Sequence, residues 1–539
     1  MITLHGKGVS AGIAVGPLKF LEREEYAVEK KAVTDTAGEV QRFYDARQKA
    51  GAQLDAMALS MAEKLGKGNA QLFEIHRMML EDSDYCDPVV KIIETEKVCA
   101  EYAVQAAGSR LALDFAEMDD DYMKERSADV LDVSRRVIAI LSGTQRDLGS
   151  AGEAVILAAE DFAPSETAQF DRTMVLALVS QKGAANSHTA IFARTMGIPA
   201  VIGLGATLSP GLAGKIAALD GETGELHIDP EDAVIEKLET RREALLKKRE
   251  ALELLRGMPT VTKTGRRIKL YANIGSVDDV EAVRNGDAEG IGLFRSEFLY
   301  LGRQDYPPED IQYESYRKVA EEMGGKEVII RTLDIGADKQ ADYFELPPEE
   351  NPALGLRAIR ICLTRPHLFK TQLRAIYRAS AHGSVSIMFP MISSLEELKR
   401  ARRCAAEVRE ELAAEHIPFN EKTPVGIMIE TPAAAIISDL LAREADFFSL
   451  GTNDLTQYTL AVDRQNEGIS EFCDPRHEAV LRLIRMTVEN GHRAGIWVGI
   501  CGSLGADPEL TETFVRVGLD ELSVEPSGIL ELRRRIALS

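Results

Sequence analysis

The chain is poor in cysteine, in positive charge and in long apolar runs. Six cysteines (Cys86, Cys99, Cys362, Cys404, Cys473 and Cys501) lie widely scattered among 539 residues, with no CxxC spacing. That argues against a disulfide framework and fits a reducing compartment. Lys and Arg number 64 against 86 Asp and Glu, for a formal net charge of -22. Wholesale binding to nucleic acid or an anionic membrane is therefore disfavoured, while a local anion site is not. No stretch of about 18 apolar residues occurs. The opening MITLHGKGVSAGIAVGP has no basic region followed by an apolar core and cleavage site. The expectation is a cytoplasmic protein with no membrane insertion. With 45% hydrophobic residues the chain can bury several cores, and its length suggests roughly three or four domains.

Where glycine and proline are sparse, the pattern is helical. The first thirty residues alternate small and apolar types with several glycines, as strands and turns do. From Thr36, where Thr36 and Glu39 suggest a capping box, to about residue 145, breakers are few. Leu72, Ile75 and Met79 share one helical face, as do Val130, Val133, Val137 and Ile140. About four helices are expected. Residues 153–229 return to short β-rich runs (EAVILAAED, MVLALV, PAVIGLG, KIAALDGETGELHID), the last broken by a DGETG hairpin loop. Residues 231–256 are densely charged and read as a mostly exposed connecting helix. The expected domains are 1–30 with 146–230 (a small α/β unit), 31–145 (a helical insertion), 231–258 (a linker) and 259–539.

The last region repeats a unit. Eight strand-like runs begin at residues 268, 290, 327, 384, 425, 446, 495 and 521, separated mostly by helical patterns. Eight βα units in this length predict a (β/α)8 barrel, so the fold class is multidomain α/β. The strands' C-terminal ends form the active face of such a barrel. Arg295, Glu297, Arg331, Asp334, Glu430, Asn453, Asp454 and Cys501 gather there.

Four arginines, Arg295, Arg331, Arg357 and Arg464, lie at or just after these ends, and Lys339 follows the third strand. The guanidinium fork suits phosphate and carboxylate, so the group points to a small, highly anionic ligand. The plainer alternative is that each arginine pairs with a nearby acid. Glu430 and Asp454 end successive strands and could share a hard cation such as Mg2+, or could each balance an arginine. Cys501 is a buried small hydrophobe, a nucleophile or a proton donor. His188, in NSHTAIFARTMGIPAVIG, stands before a short helical pattern whose N-terminus favours an attached phosphate. A lone histidine there also fits a purely structural role.

Together these motifs carry a resemblance. GVSAGIAVG, LFEIHRMMLED, PSETAQ, SHTAIFAR, EGIGLFRSEFLY, RTLDIGADK, NPALGLRAIR, IMIETPAA, LGTNDLTQYTLAVDR and ICGS follow one another in the order found in the enzyme I family of the phosphoenolpyruvate-dependent sugar phosphotransferase system. The resemblance implies that His188 is phosphorylated through Nε2, with Thr167 holding the other ring nitrogen. It implies that Arg295, Arg331, Lys339, Arg357, Asn453 and Arg464 grip phosphoenolpyruvate, with Asp454 also beside the substrate. Glu430 and Asp454 would hold Mg2+, and Cys501 would protonate the enolate to pyruvate. The helical insertion would dock the phosphocarrier HPr, and the barrels would pair as a homodimer.

Two departures touch this pattern. The family's Gly-Gly-x-Thr-Ser-His is Gly183-Ala184-Ala185-Asn186-Ser187-His188 here, and Gly502-Ser503 replaces Gly-Glu after the cysteine. A dikinase or phosphoenolpyruvate synthase would need an ATP-binding region where the helical residues stand. A non-catalytic regulatory relative would have lost His188, Cys501 or the metal acids, all of which are present.

Overall fold

The computed structural model describes the chain apart from residues 22–27, 66, 119–120, 144–153, 168–169, 171–172, 184–186 and 337–340. It divides into two compact units, Met1–Lys248 and Arg249–Ser539.

The first unit is built on one sheet. Its strands are β1 (Ile2–His5), β2 (Lys7–Ser10), β3 (Ile13–Phe20), β4 (Val155–Ala159), β5 (Val175–Ser180), β6 (Ala200–Ile202), β7 (Ile216–Asp220) and β8 (Glu225–Ile228). They lie in the order β1-β8-β7-β3-β4-β5-β6-β2. Strands β3 to β6 run parallel, with antiparallel partners at either side. The opening residues thus supply three strands, and the DGETG loop does join the β7–β8 hairpin.

Between β3 and β4 come five helices among the described residues: Thr36–Leu65, Lys67–Glu81, Ser83–Glu96, Ala100–Ala116 and Asp121–Ser142. That is one more than the breaker pattern predicts, because Asp82, rather than a glycine or proline, separates the second from the third. Its side chain caps the next helix by accepting from the Asp84 N–H. The expected capping box is also different. Asp35 caps the first helix by accepting from the Gly38 N–H at 2.8 Å, while Glu39 accepts from the Ala100 N–H at 2.8 Å and pairs with Arg42. In the second helix the buried face is Phe73, His76 and Leu80, one position on from the expected stripe; in the fifth, Val130, Val133 and Val137 are buried as expected. Gly108 lets the fourth helix close on the fifth. A Cβ there would lie 2.2 Å from Ser134 Oγ, and overpacking of this kind costs about 1–3 kcal/mol.

Helix Asp232–Glu253 buries only Leu238 and is otherwise exposed or half-buried. No described helix is long and apolar enough to cross a membrane.

The second unit is a closed parallel barrel. Its strands are β9 (Lys269–Ile274), β10 (Gly290–Arg295), β11 (Glu327–Arg331), β12 (Val385–Phe389), β13 (Val425–Ile429), β14 (Phe447–Leu450), β15 (Trp497–Ile500) and β16 (Glu521–Val524). Strands covered by helices outside and side chains inside must be apolar on both faces. The interior packs Tyr271, Leu293, Ile329, Met388, Met428 and Phe447 with Cys501, and Trp497 stacks on Phe447 at 4.6 Å. All eight predicted runs are strands, but several end early. The run expected over 446–454 stops at Leu450, and Asn453 and Asp454 open the helix Thr452–Leu460.

Candidate functional site

At the barrel mouth the strand ends enclose a cavity of about 230 Å³. Arg295 and Arg331 end β10 and β11, Glu430 follows β13, Asn453 and Asp454 lie past β14, and Cys501 follows β15. These six line the cavity with Arg357, Arg464, Asp334 and Gly502. Of the barrel residues predicted for the site, only Lys339 is not placed in it, since it lies outside the described residues. A second cavity of about 530 Å³ shares Arg357, Asp454 and Arg464 with the first.

Acids hold two of the arginines in fixed positions. Arg331 Nη2 donates to Glu297 Oε1 at 2.9 Å, and its Nη1 lies 3.0 Å from Asp334 Oδ2. Asp334 Oδ1 accepts from Arg357 Nη2 at 3.0 Å, and Arg357 Nη1 reaches Asp454 Oδ1 at 3.4 Å and Tyr458 Oη at 3.0 Å. Both guanidiniums are buried. Burial works against their charge, but Glu297, Asp334 and Glu430 around Arg331, and Asp334 and Asp454 around Arg357, more than offset it and keep both cationic. The ion pairs therefore exist, yet each arginine keeps a buried Nε–H with no partner among the described residues. Acid pairing and ligand binding are compatible here. Glu297 and Asp334, named at the strand ends only as polar residues, are the clamps; which acid meets which arginine depends on barrel register, which spacing along the chain does not reveal.

Glu430 is buried, and Gly451 makes room for it: a Cβ there would lie 2.8 Å from Glu430 Oε2. Its Oε1 accepts from the Met391 N–H at 2.6 Å. Burial first, then the charges of Asp454 and Asp334, raise its proton affinity against the pull of Arg331. Two carboxylates that repel each other beside a phosphate-sized cavity suit a hard cation that keeps few protein ligands. Among the described residues no group of three or more His, Cys, Asp or Glu gathers into a fuller metal cage.

Burial raises the Cys501 thiol to about 12. It therefore stays protonated at neutral pH, which excludes a resting thiolate nucleophile and suits an acid. Ser503, the departure noted after the cysteine, donates from Oγ to Asn453 Oδ1 at 2.6 Å and from its N–H at 3.1 Å, and so orients that amide.

In the first unit His188 is the first residue of helix His188–Met196, which Ser187 caps by accepting from the Ala190 N–H. Gly197, at φ 63°, ends the helix in the left-handed region glycine favours. Thr167 is buried at the end of the short helix Pro164–Thr167, which packs against the His188 helix. Edge-to-face contacts of Phe162 with Phe170, and of Phe170 with Phe192, anchor the same elements.

Residues 249–539 match the family described as PEP-utilising enzyme, PEP-binding domain. Residues 5–126 match its N-terminal family and 151–224 its mobile-domain family. Proteins named phosphoenolpyruvate-protein phosphotransferase are similar throughout. That of Bacillus sp. (strain S) is 42% identical over 99% of this chain and 93% of its own, and that of Bacillus subtilis (strain 168) is 41% identical over 100% and 94%. The solution structure of an Enzyme I protein matches 45% of this chain and 99% of its own at 31% identity, with a TM-score of 0.39. With identity of this order along essentially its whole length, the chain belongs to the phosphoenolpyruvate-protein phosphotransferase family of PEP-utilising enzymes.

Proposed function

We propose that this protein moves the phosphoryl group of phosphoenolpyruvate onto His188, releases pyruvate, and passes the group to the histidine of HPr, the first step of sugar uptake by the phosphotransferase system. The observation that carries the site assignment is the convergence of four arginines, three carboxylates, Asn453 and a protonated thiol on one cavity.

Phosphoryl transfer needs positioning and charge stabilisation more than covalent help. Arg295, Arg331, Arg357, Lys339, Asn453 and Arg464 bind the phosphate and carboxylate of phosphoenolpyruvate, the clamped arginines through N–H groups their acids leave free. Nε2 of His188 attacks phosphorus, and the bond from phosphorus to the enol oxygen breaks. Thr167 holds the other ring nitrogen. The helix N-terminus at His188 favours both the neutral imidazole before attack and the phosphate after it. Cys501 then gives its thiol proton to C3 of the enolate, which traps the product as pyruvate. Glu430 and Asp454 would hold Mg2+, which supplies positive charge at the phosphate when bound.

The helices of residues 31–145 form the HPr docking surface, 1–30 with 146–230 the phosphohistidine domain, 231–258 the linker on which it swivels, and 259–539 the substrate barrel. Ile436, Leu440 and Met486 are exposed on helices that pack together on the barrel, which supports pairing of two barrels as a homodimer. All six cysteines are free, which supports a cytoplasmic setting.

The test uses labelled phosphoenolpyruvate, Mg2+ and HPr. Wild type should take up acid-labile phosphate, release one pyruvate per phosphate, and pass the label to HPr. His188→Ala should take up none. Undiminished label on that variant would overturn the assignment.

A further inference from the structure

At the end of the barrel opposite the mouth, a cavity of about 440 Å³ borders the starts of β13, β14 and β15, at Val425, Asp446 and Trp497. That volume falls among small-molecule sites, which span about 300–1,000 Å³. The cavity shares no lining residue with the one at the mouth. Helix Leu395–Ala414 sets Arg402, Ala405 and Arg409 on one face, at spacings of three and four residues. Ala405 is small and leaves the space between the two arginines open, and both border the cavity. Lys422, in the loop before β13, adds a third cation to the lining.

These cations are held differently from those of the mouth. Arg402 Nη1 lies 3.5 Å from Asp446 Oδ2, an oxygen that already accepts from the Val425 N–H at 2.7 Å. Arg409 reaches the Glu421 carbonyl at 3.5 Å. Neither Arg409 nor Lys422 has an ion-pair partner among the described residues. Glu421, the other acid in the lining, is exposed. In a chain with 86 acids to 64 lysines and arginines, two lining cations without an acid are a local excess of positive charge.

The wall between the helices is polar where packing alone would make it apolar. Tyr377, on helix Pro366–Ala379, lines the cavity and is 1% exposed. Phe419 packs edge-on to its ring at 5.8 Å, but its hydroxyl has no hydrogen-bond partner among the described residues. An unmet buried hydroxyl costs about 1–3 kcal/mol, which a phenylalanine would avoid. Burial pushes this hydroxyl up to about 12, opposed by Arg409 and Arg402, so it is a donor at neutral pH. Trp497 supplies an apolar wall, stacked on Phe447 at 4.6 Å.

We propose that this cavity binds a small organic oxyanion. Arg409 and Lys422 neutralise it, Tyr377 donates to one of its oxygens, and Trp497 lies against its carbon frame. Phosphate monoesters and polycarboxylates share this chemistry, since both suit a guanidinium fork and charge-assisted hydrogen bonds.

Trp497 is the only tryptophan in the chain, so its fluorescence reads the cavity directly. The full chain, without Mg2+ or phosphoenolpyruvate, is titrated with glycerol 2-phosphate and, separately, with citrate. Chloride holds the ionic strength constant. At least one anion should give a saturable change, and the tighter of the two names the class. Arg409→Ala combined with Lys422→Ala should weaken that binding on the order of tenfold or more. Tyr377→Phe should weaken it on the order of tenfold, and Arg464→Ala, at the mouth, should leave it unchanged. No saturable change with either anion would overturn the proposal. So would a change that survives loss of Arg409 and Lys422, or one that Arg464→Ala abolishes, since the anion would then act from the mouth. Should the double variant fail to fold, Tyr377→Phe decides by the same criteria.

Discussion

In the proposed reaction the barrel mouth and the His188 helix would carry the two halves, and they are built differently. At the mouth, Arg331 and Arg357 are buried and cross-braced through Glu297, Asp334 and Asp454. Every member but Arg357, which lies in the long connection between β11 and β12, sits on or just beyond a strand of a closed barrel. At the other site the histidine begins a nine-residue helix that Ser187 caps and whose Ala190, Phe192 and Ala193 are buried in the core of the first unit. A site that must stabilise charge benefits from groups that need no reorganisation when the charge appears. A residue that must reach a donor and then an acceptor can be carried by its whole domain, standing at the first position of a helix packed into that domain's core. Under the proposed function, the difference assigns positioning to the barrel and travel to the histidine's domain.

The strongest way to break this comparison is to remove one clamp on each side. Arg331→Ala would take one buried cation away from Glu297 and Asp334. The barrel unit should lose about 3–5 kcal/mol, read by denaturant unfolding, and autophosphorylation should vanish. His188→Ala should also abolish labelling while keeping the Ser187 cap, so stability should move by no more than about 0.5 kcal/mol. Equal destabilisation by the two would erase the contrast.

Next in size is the acid. Cys501→Ala should still bind phosphoenolpyruvate but form pyruvate about 10²- to 10⁴-fold more slowly. Burial raises this thiol, and it acts in its protonated form, so its loss with rising pH is displaced upward towards about 12. Wild-type turnover should therefore not fall through pH 9 on account of Cys501. A decline near pH 8–9 that disappears in Cys501→Ala would contradict the assignment.

The smallest expected effect concerns the carboxylates. Asp454 and Asp334 help raise the proton affinity of Glu430, so protons compete there with a cation. The apparent Mg2+ affinity, measured by titrating autophosphorylation, should weaken as pH falls from 8 to 6, by at most about tenfold per pH unit for one proton. Glu430→Gln should weaken Mg2+ use and flatten this dependence. A pH-independent Mg2+ requirement would remove Glu430 from the site.

Much of the architecture was legible in the sequence. Barrel strands announce themselves because burial on both faces forces apolar runs, and the arginines at their ends fall at the active face by topology alone. Pairings were not legible. That Glu297 meets Arg331, or that Arg357 meets Asp454, depends on contacts between residues 34 and 97 positions apart. Helix boundaries were misread where a polar cap replaced a breaker, as at Asp82 and Asp35. Nor could one histidine beside a serine declare itself, since the same letters fit a structural cap. The order of the motifs around it carried that part of the reading.

The most direct measurement locates the phosphate on the chain. After brief exposure to phosphoenolpyruvate and Mg2+, peptide mapping under alkaline conditions should find a single phosphohistidine at His188 in wild type, and none in Arg331→Ala. Phosphate on any residue of the barrel, or undiminished phosphate at His188 when Arg331 is gone, would contradict the account.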